Sequence, residues 1–389
     1  MAVISAVWLS YQFWRLTSPA PPIWPTSPRG AVDLLQRHGE VRHWFNVPKR
    51  HTYFRIGSAV YPPATYLMLW PAIGWLTPQQ ARWVWLATTI PALAWLMVLL
   101  VRESGAGTRL ERLFIALIPP SMYATGATIG NGQFNVHILP MLIAGMLALS
   151  RDPPGWRRDM KGGGLFVLSL VKPIMTGPFF WFILFGRRTL RPALFIVGVY
   201  PILTFAALSF KQLDGVLVLE SWVWRASGGL QFGAVRGAVA NQSTLLTDFG
   251  LTGYVLFFAA LLGLLGMGVW VYMHRHIDPW LQLGIFGIMS RFSIYHRWYD
   301  DMLLLLPLIA LYRMARQGAG EDHRDVVAGG LFAVLLLMMM APGGLYLLPP
   351  PWNVYSTYLQ TAIWMLVLAF LLRQAWHARR PAALSPETS

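Results

Sequence analysis

An all-α, polytopic membrane fold is what this sequence predicts, and three observations carry the prediction. Hydrophobic residues fill 56% of 389 positions and charged residues only 12%, against about 25% charged in a soluble domain. Apolar runs recur along the whole chain. Basic residues concentrate in alternate connections between those runs. A soluble chain of this composition has too little polar surface to cover its apolar side chains, so a soluble enzyme and a disordered chain are excluded. Cysteine is absent, which removes disulfides, thiolate metal sites, iron–sulfur clusters and thiol nucleophiles.

The elements follow in order. Met1–Leu16 is apolar, with no basic leader region or small-residue cleavage site, and reads as a first spanning helix. Tyr61–Leu76 opens on Pro-Pro and is short, so it is expected to lie along the outer interface. Trp83–Val101, Leu113–Thr128 and Phe134–Leu149 are expected to cross. Gly162–Phe185 starts and ends on the same side and is interrupted by Lys172-Pro173, which predicts two short helices that rise and return. Pro192–Phe210, Leu251–Met273, Pro279–Ser290, Met302–Tyr312, Val326–Ala341 and Tyr355–Leu372 complete the set. With the broken run counted as two, about twelve membrane helices are expected. They form one domain over residues 1–380, with residues 17–80 as the first outer loop. Residues 381–389 read as a disordered cytoplasmic tail.

Orientation follows from the basic residues. The loops at 102–112, 151–161, 186–191, 274–278 and 313–325, with the tail from Arg373, hold 17 Lys+Arg. The opposite face holds six outside its first loop. Basic loops stay in the cytoplasm, so both termini are expected there and the protein in the inner (plasma) membrane. The net charge of +15 is then largely an orientation signal and not a nucleic-acid footprint. The basic residues left on the outer face suit an anionic lipid phosphate.

That topology gathers the expensive polar groups on one face. They are Asp33; Tyr61-Pro62-Pro63; Gly130-Asn131-Gly132-Gln133-Phe134-Asn135; Lys172-Pro173; Glu220 to Arg225 with Asn241-Gln242-Ser243; and Tyr295 to Asp301. No His or carboxylate pair has metal-ligand spacing, no Ser-His-Asp order is present, and no Gly-rich loop is followed by Lys-Ser/Thr. Neither a metal nor a cofactor is expected. Lys and Arg among carboxylates suit a phosphate headgroup, and a facing carboxylate suits a general base.

In this order, Asp33, Tyr61-Pro62-Pro63, Gly132-Gln133-Phe134-Asn135, Lys172-Pro173, Asn241-Gln242-Ser243 and Tyr299-Asp300 before Leu303-Leu304-Leu305 resemble a family. It is the GT-C type integral-membrane glycosyltransferases, and within them glycosyltransferase family 87, polyprenyl-phosphate-mannose-dependent α-mannosyltransferase-like. The resemblance implies the GT-C fold and transfer of a mannose-like sugar from a polyprenyl-phosphate donor to a glycolipid or glycan hydroxyl, outside the cytoplasm and with inversion. It makes Asp33 the base, with His296 as its rival. It assigns the donor phosphate to Lys172, His296 and Arg297. Sugar and acceptor contacts fall to Tyr61, Asn131, Gln133, Asn135, Trp222, Arg225, Asn241, Tyr299 and Asp300. Two other readings stand beside it: a non-catalytic subunit of a membrane complex, and a lipid or solute transporter.

Overall fold

The computed structural model describes residues 1–18, 30–56, 59–186, 188–231, 254–293, 296–317, 323–343, 349 and 351–379. Among them there is no strand, only an isolated bridge between Met122 and Met340. The tail at 381–389 and the Asn241-Gln242-Ser243 triplet lie outside the described residues.

The first helix, α1 (Ala2–Thr17), carries an internal polar face, with Ser5, Gln12 and Arg15 buried. The outer loop that follows is helical, which composition alone did not predict. Helix α2 (Val32–Asn46) buries Leu34, Arg37, His38, Val41 and Trp44, the spacing of one helical face. That inward face mixes charged with apolar side chains. A short turn, α3 (Thr52–Arg55), leads to α4 (Pro63–Leu69), which widens into a π turn over Trp70–Gly74. A short helix opening at Pro62-Pro63 is thus present where one was expected.

The long α5 (Pro78–Ser104) has a reciprocal Thr77–Gln80 cap, with Pro at the first helical position. The run expected as one span at 113–128 is split. Helix α6 (Arg109–Ser121) stops at an extended Met122, and α7 (Tyr123–Asn131) restarts at once. The adjacent Pro119-Pro120 withholds two amide donors, and beyond the break the Ser121 carbonyl accepts from the Ala341 N–H at 2.8 Å. Helix α7 meets α8 (Asn135–Arg151) at 118°. Helix α9 (Trp156–Ser169) packs close to α8, with Gly145 against Gly162, as small residues allow within a bilayer.

The break at Lys172-Pro173 is present. Beyond it come α10 (Pro173–Thr176), a 3-10 turn and α11 (Phe180–Phe185). Breaking a helix frees carbonyls that lipid cannot satisfy. Here Thr176 Oγ1 donates to the Ser169 carbonyl at 3.1 Å, Tyr200 to Leu170 at 3.4 Å and Thr65 to Val171 at 3.0 Å.

Helices α12 (Leu190–Ser209), α13 (Gly215–Gln231), α14 (Tyr254–His274) and α15 (Pro279–Ser293) follow. A 3-10 helix at Trp298–Leu304 leads into α16 (Leu305–Ala315), then α17 (Arg324–Met339) and α18 (Trp352–Arg379). Three described helices, spanning Pro78–Ser104, Leu190–Ser209 and Trp352–Ala378, are long and apolar enough to cross a membrane alone. Tyr254–His274 is apolar over 21 residues, and the remaining described helices are shorter or broken, so length alone does not yield twelve crossings.

Candidate active site

Four chain segments meet where α7 turns into α8. The turn itself is built by glycine. Gly132 has φ +70°, and a Cβ there would sit 2.4 Å from Leu34 Cβ. At Gly130 a Cβ would meet Gln12 Oε1 at 1.9 Å, and at Gly30 the Arg15 carbonyl oxygen at 1.6 Å. Ala31 N–H donates to the Gly130 carbonyl at 2.7 Å. The start of α2, and Asp33 with it, is therefore clamped to the turn by backbone contact.

Asn135, at the start of α8 and fully buried, joins the next two segments. Its Nδ2 donates to Asp300 Oδ1 at 2.9 Å and to the Tyr299 carbonyl at 2.8 Å. Its Oδ1 accepts from Lys172 Nζ at 3.0 Å. Lys172 also pairs directly with Asp300 and lies 4.8 Å from the Tyr299 ring centroid. All three polar side chains are at most 3% exposed. Asp300 is oriented further by the Arg297 N–H at 3.1 Å. Burial alone would raise the Asp300 carboxyl; Lys172 and His296 more than offset that and hold it below the usual range.

His296 is wholly buried, with Nδ1 3.3 Å from Asp300 Oδ2 but out of line for a hydrogen bond. Neither ring nitrogen has a hydrogen-bond partner among the described residues. Burial lowers its affinity for a proton more than Asp300 raises it, so the imidazole is held neutral near pH 7. Gln133 Oε1 is a second buried acceptor with no partner among the described residues. Buried polar atoms are normally paired; several across the described residues are not, and these two carry polar atoms open to a ligand.

Asp33, in the first turn of α2, is half-buried. Its charge acts on Tyr61, Tyr299 and Arg37. Tyr61 packs beside Arg37 and Phe134: Arg37 sits 4.5 Å from its ring centroid, Phe134 meets its ring edge-on, and the charges of Asp33 and Asp300 both act on its phenol. Burial raises that phenol well above its ordinary value, so Tyr61 stays a neutral donor.

The other expected residues are engaged elsewhere. Asn131 Oδ1 accepts from Arg15 Nη2 at 3.1 Å. Trp222 Nε1 donates to the Val60 carbonyl at 3.2 Å, and Arg225 Nε to the Tyr53 carbonyl at 2.7 Å. Both tie α13 to the outer loop. Arg297 is exposed beside the cluster. Asn241 lies outside the described residues.

Two networks were missed by sequence reasoning. Asp301 accepts from Arg291 and from Tyr123, and Arg291 lies 5.3 Å from the Trp364 ring centroid. Arg37 pairs with Glu40 at 2.7 Å. The spacing Asp33, Arg37, Glu40 was the available signal, because i, i+4, i+7 is one helical stripe.

Residues 59–284 match the family model described as Glycosyltransferase family 87. That match begins after Asp33 and ends before His296. No curated protein and no solved structure matches the chain.

Proposed function

The chain belongs to glycosyltransferase family 87, a GT-C type membrane glycosyltransferase, and from that premise we propose that it uses a polyprenyl-phosphate sugar, mannose-like, as donor. The acceptor is a glycolipid or glycan hydroxyl, and the reaction takes place on the extracytoplasmic face of the inner membrane. Both termini are cytoplasmic, and residues 1–380 act as one domain.

In this reading Asp33 takes the proton from the acceptor hydroxyl. The hydroxyl oxygen forms a bond to the anomeric carbon of the donor sugar from the face opposite the leaving phosphate. The bond from that carbon to the phosphate oxygen breaks, and its electron pair leaves with the lipid phosphate. The configuration inverts. The developing phosphate charge is met by Arg297, exposed at the cluster's edge, and by a proton-bearing nitrogen of neutral His296. Such placed donors act where charge builds up in the transition state. Lys172 contributes field and positioning, because its charge is already balanced by Asp300. Tyr61, Gln133 and Tyr299 line the sugar's place between them. Asn131, Asn135, Trp222 and Arg225 hold the walls, and Asn241 remains a proposed sugar contact.

The observation that supports this reading best is the Ala31 N–H bond to the Gly130 carbonyl at 2.7 Å, which fixes the start of α2 to the turn leading into Asn135, the residue that binds both Lys172 and Asp300. It ties the helix turn that carries the candidate base to the segment that holds the candidate phosphate cluster. The test is Asp33→Asn, assayed with a short polyprenyl-phosphate sugar in detergent or vesicles. Loss of a general base is expected to lower kcat by about 10²-fold or more, with the folded amount unchanged by size-exclusion profile. Wild-type turnover in that variant would refute the base assignment.

A further inference from the structure

We propose that the junction between α14 and α15 is a second phosphate site, which takes the headgroup of an anionic phospholipid. The last turn of α14 and the loop after it, Tyr272 to Ile277, enclose a cavity of about 360 Å³, and Ala378 of α18 completes its lining. A cavity of that size suits a small ligand. It is not part of the cluster around Lys172. His296 and Asp300 lie beyond the other end of α15, whose 15 residues span roughly 22 Å.

The loop is held in place by its own contacts. His274 is 5% exposed, and its ring stacks on that of Trp270 at 4.4 Å. The His274 carbonyl accepts from Gln282 Nε2 at 2.6 Å and from the Ile277 N–H at 3.2 Å. The Arg275 guanidinium carbon lies 4.5 Å from the Tyr272 ring centroid, and Phe185 meets that ring edge-on. Arg275 Nε donates to His276 Nε2 at 3.2 Å, so the neutral His276 ring carries its proton on Nδ1. That leaves His276 Nδ1 and both Arg275 Nη groups as donors at the cavity. The Nη groups make no ion pair or hydrogen bond among the described residues. No carboxylate lines the cavity. Asp278, three residues past Arg275, is committed to the N–H groups of Trp280 and Leu281 at 2.9 and 3.1 Å and to Arg313 at 3.5 Å. A guanidinium fork beside an imidazole N–H suits phosphate oxygens.

Helix α14 names the source of the phosphate. Leu262, Leu265, Val269 and Tyr272 are all exposed and spaced three and four apart, which makes one stripe of the helix. The stripe is apolar as far as Tyr272 and ends at the cavity. Acyl chains laid along it bring a headgroup to Arg275, whereas a soluble phosphate gains nothing from it. Basic pockets at the ends of membrane helices take anionic headgroups on the same terms.

The experiment titrates dioleoyl-phosphatidylglycerol, dioleoyl-phosphatidylcholine, glycerophosphoglycerol and inorganic phosphate into the full-length chain in detergent. Bound lipid is counted by native mass spectrometry, and affinity is taken from the rise in melting temperature. Phosphatidylglycerol is expected to bind about tenfold or more tightly than phosphatidylcholine, and R275Q to remove that preference, since a charge-assisted contact is lost. R109Q, at an exposed arginine of another basic loop, is expected to leave it unchanged. Glycerophosphoglycerol and inorganic phosphate, which have no chains to lay on α14, are expected to bind at least about tenfold more weakly than the lipid. Equal binding of the two lipids would mean ordinary bilayer contact and overturn the proposal. So would an R275Q affinity equal to wild type, or an equal loss in R109Q. Inorganic phosphate bound as tightly as the lipid would assign the cavity to a soluble phosphate and overturn the lipid source. If R275Q yields no folded protein, R275K keeps the charge and loses the fork; an intermediate affinity is then expected, and wild-type affinity would overturn the proposal.

Discussion

Asp300 and Asp301 are neighbours in sequence with separate duties. Asp300 holds Lys172, Asn135 and the edge of His296, while Asp301 holds Arg291 and Tyr123. Removing one partner of a buried pair strands the other, at a cost of about 3–5 kcal/mol. D300N and D301N are therefore each expected to lower thermal stability in detergent strongly. The double variant K172M/D300N is expected to be more stable than D300N alone, since no lone charge remains. A D300N melt equal to wild type would contradict the pairing. His296 gives a pH prediction. Its folded proton affinity lies below its ordinary value of 6.5, so the unfolded chain binds the proton more readily. The stability tied to the neutral ring is complete above that value and declines as pH falls below it. Melting curves at pH 7.5 and 5.5 are expected to differ less in H296N than in wild type. At this scale the sequence was legible where chemistry is scarce: a lysine in an apolar run announces itself. It was opaque for Asn135, whose two faces are filled by residues 37 and 165 positions away.

At the level of elements, the glycines of the α7–α8 turn decide whether α2 reaches the site. Gly132 and Gly105 make a controlled comparison, with φ +70° and +76°. Gly132 has Leu34 in the way of a Cβ, whereas Gly105 has nothing within 4 Å. G105A is expected to cost about 1 kcal/mol or little more, from backbone strain alone. G132A adds a collision with α2 and is expected to cost clearly more, with loss of transfer activity. Equal melts and equal turnover in the two variants would count against the clamp. The apolar runs and the break at Lys172-Pro173 were readable from periodicity and composition. Helix α2 was not, because its buried face mixes Leu34, Val41 and Trp44 with Arg37, His38 and Glu40. A charged inward stripe looks like a solvated loop until its neighbours are known. The restart at Met122 was equally hidden, because it is held by contacts to residues 340 and 341.

Across the whole molecule, the outer segments are tied to the bundle rather than resting on it. Trp44 donates to the Ala207 carbonyl at 3.0 Å, and Lys211 to those of Val47 and Arg50 at 3.0 and 3.1 Å. Burial holds the Lys211 ammonium down to about 8, so this tie weakens as pH rises through that value. The class of fold was visible in composition, and Lys172 and Asp300 were visible as polar groups set among apolar runs. Their pairing was not, since Lys172 and Asp300 are 128 residues apart. That separation sets an order of events during synthesis. The chain makes Lys172 and places it in the membrane long before its carboxylate exists. Until residue 300 arrives, an ammonium waits without its partner, at a cost the bilayer imposes on any unpaired charge. A chain arrested in that interval carries the chemical mark of an unfinished protein, a buried charge without its counter-charge. Completion of the buried cluster and neutralisation of that lone charge are then one and the same step.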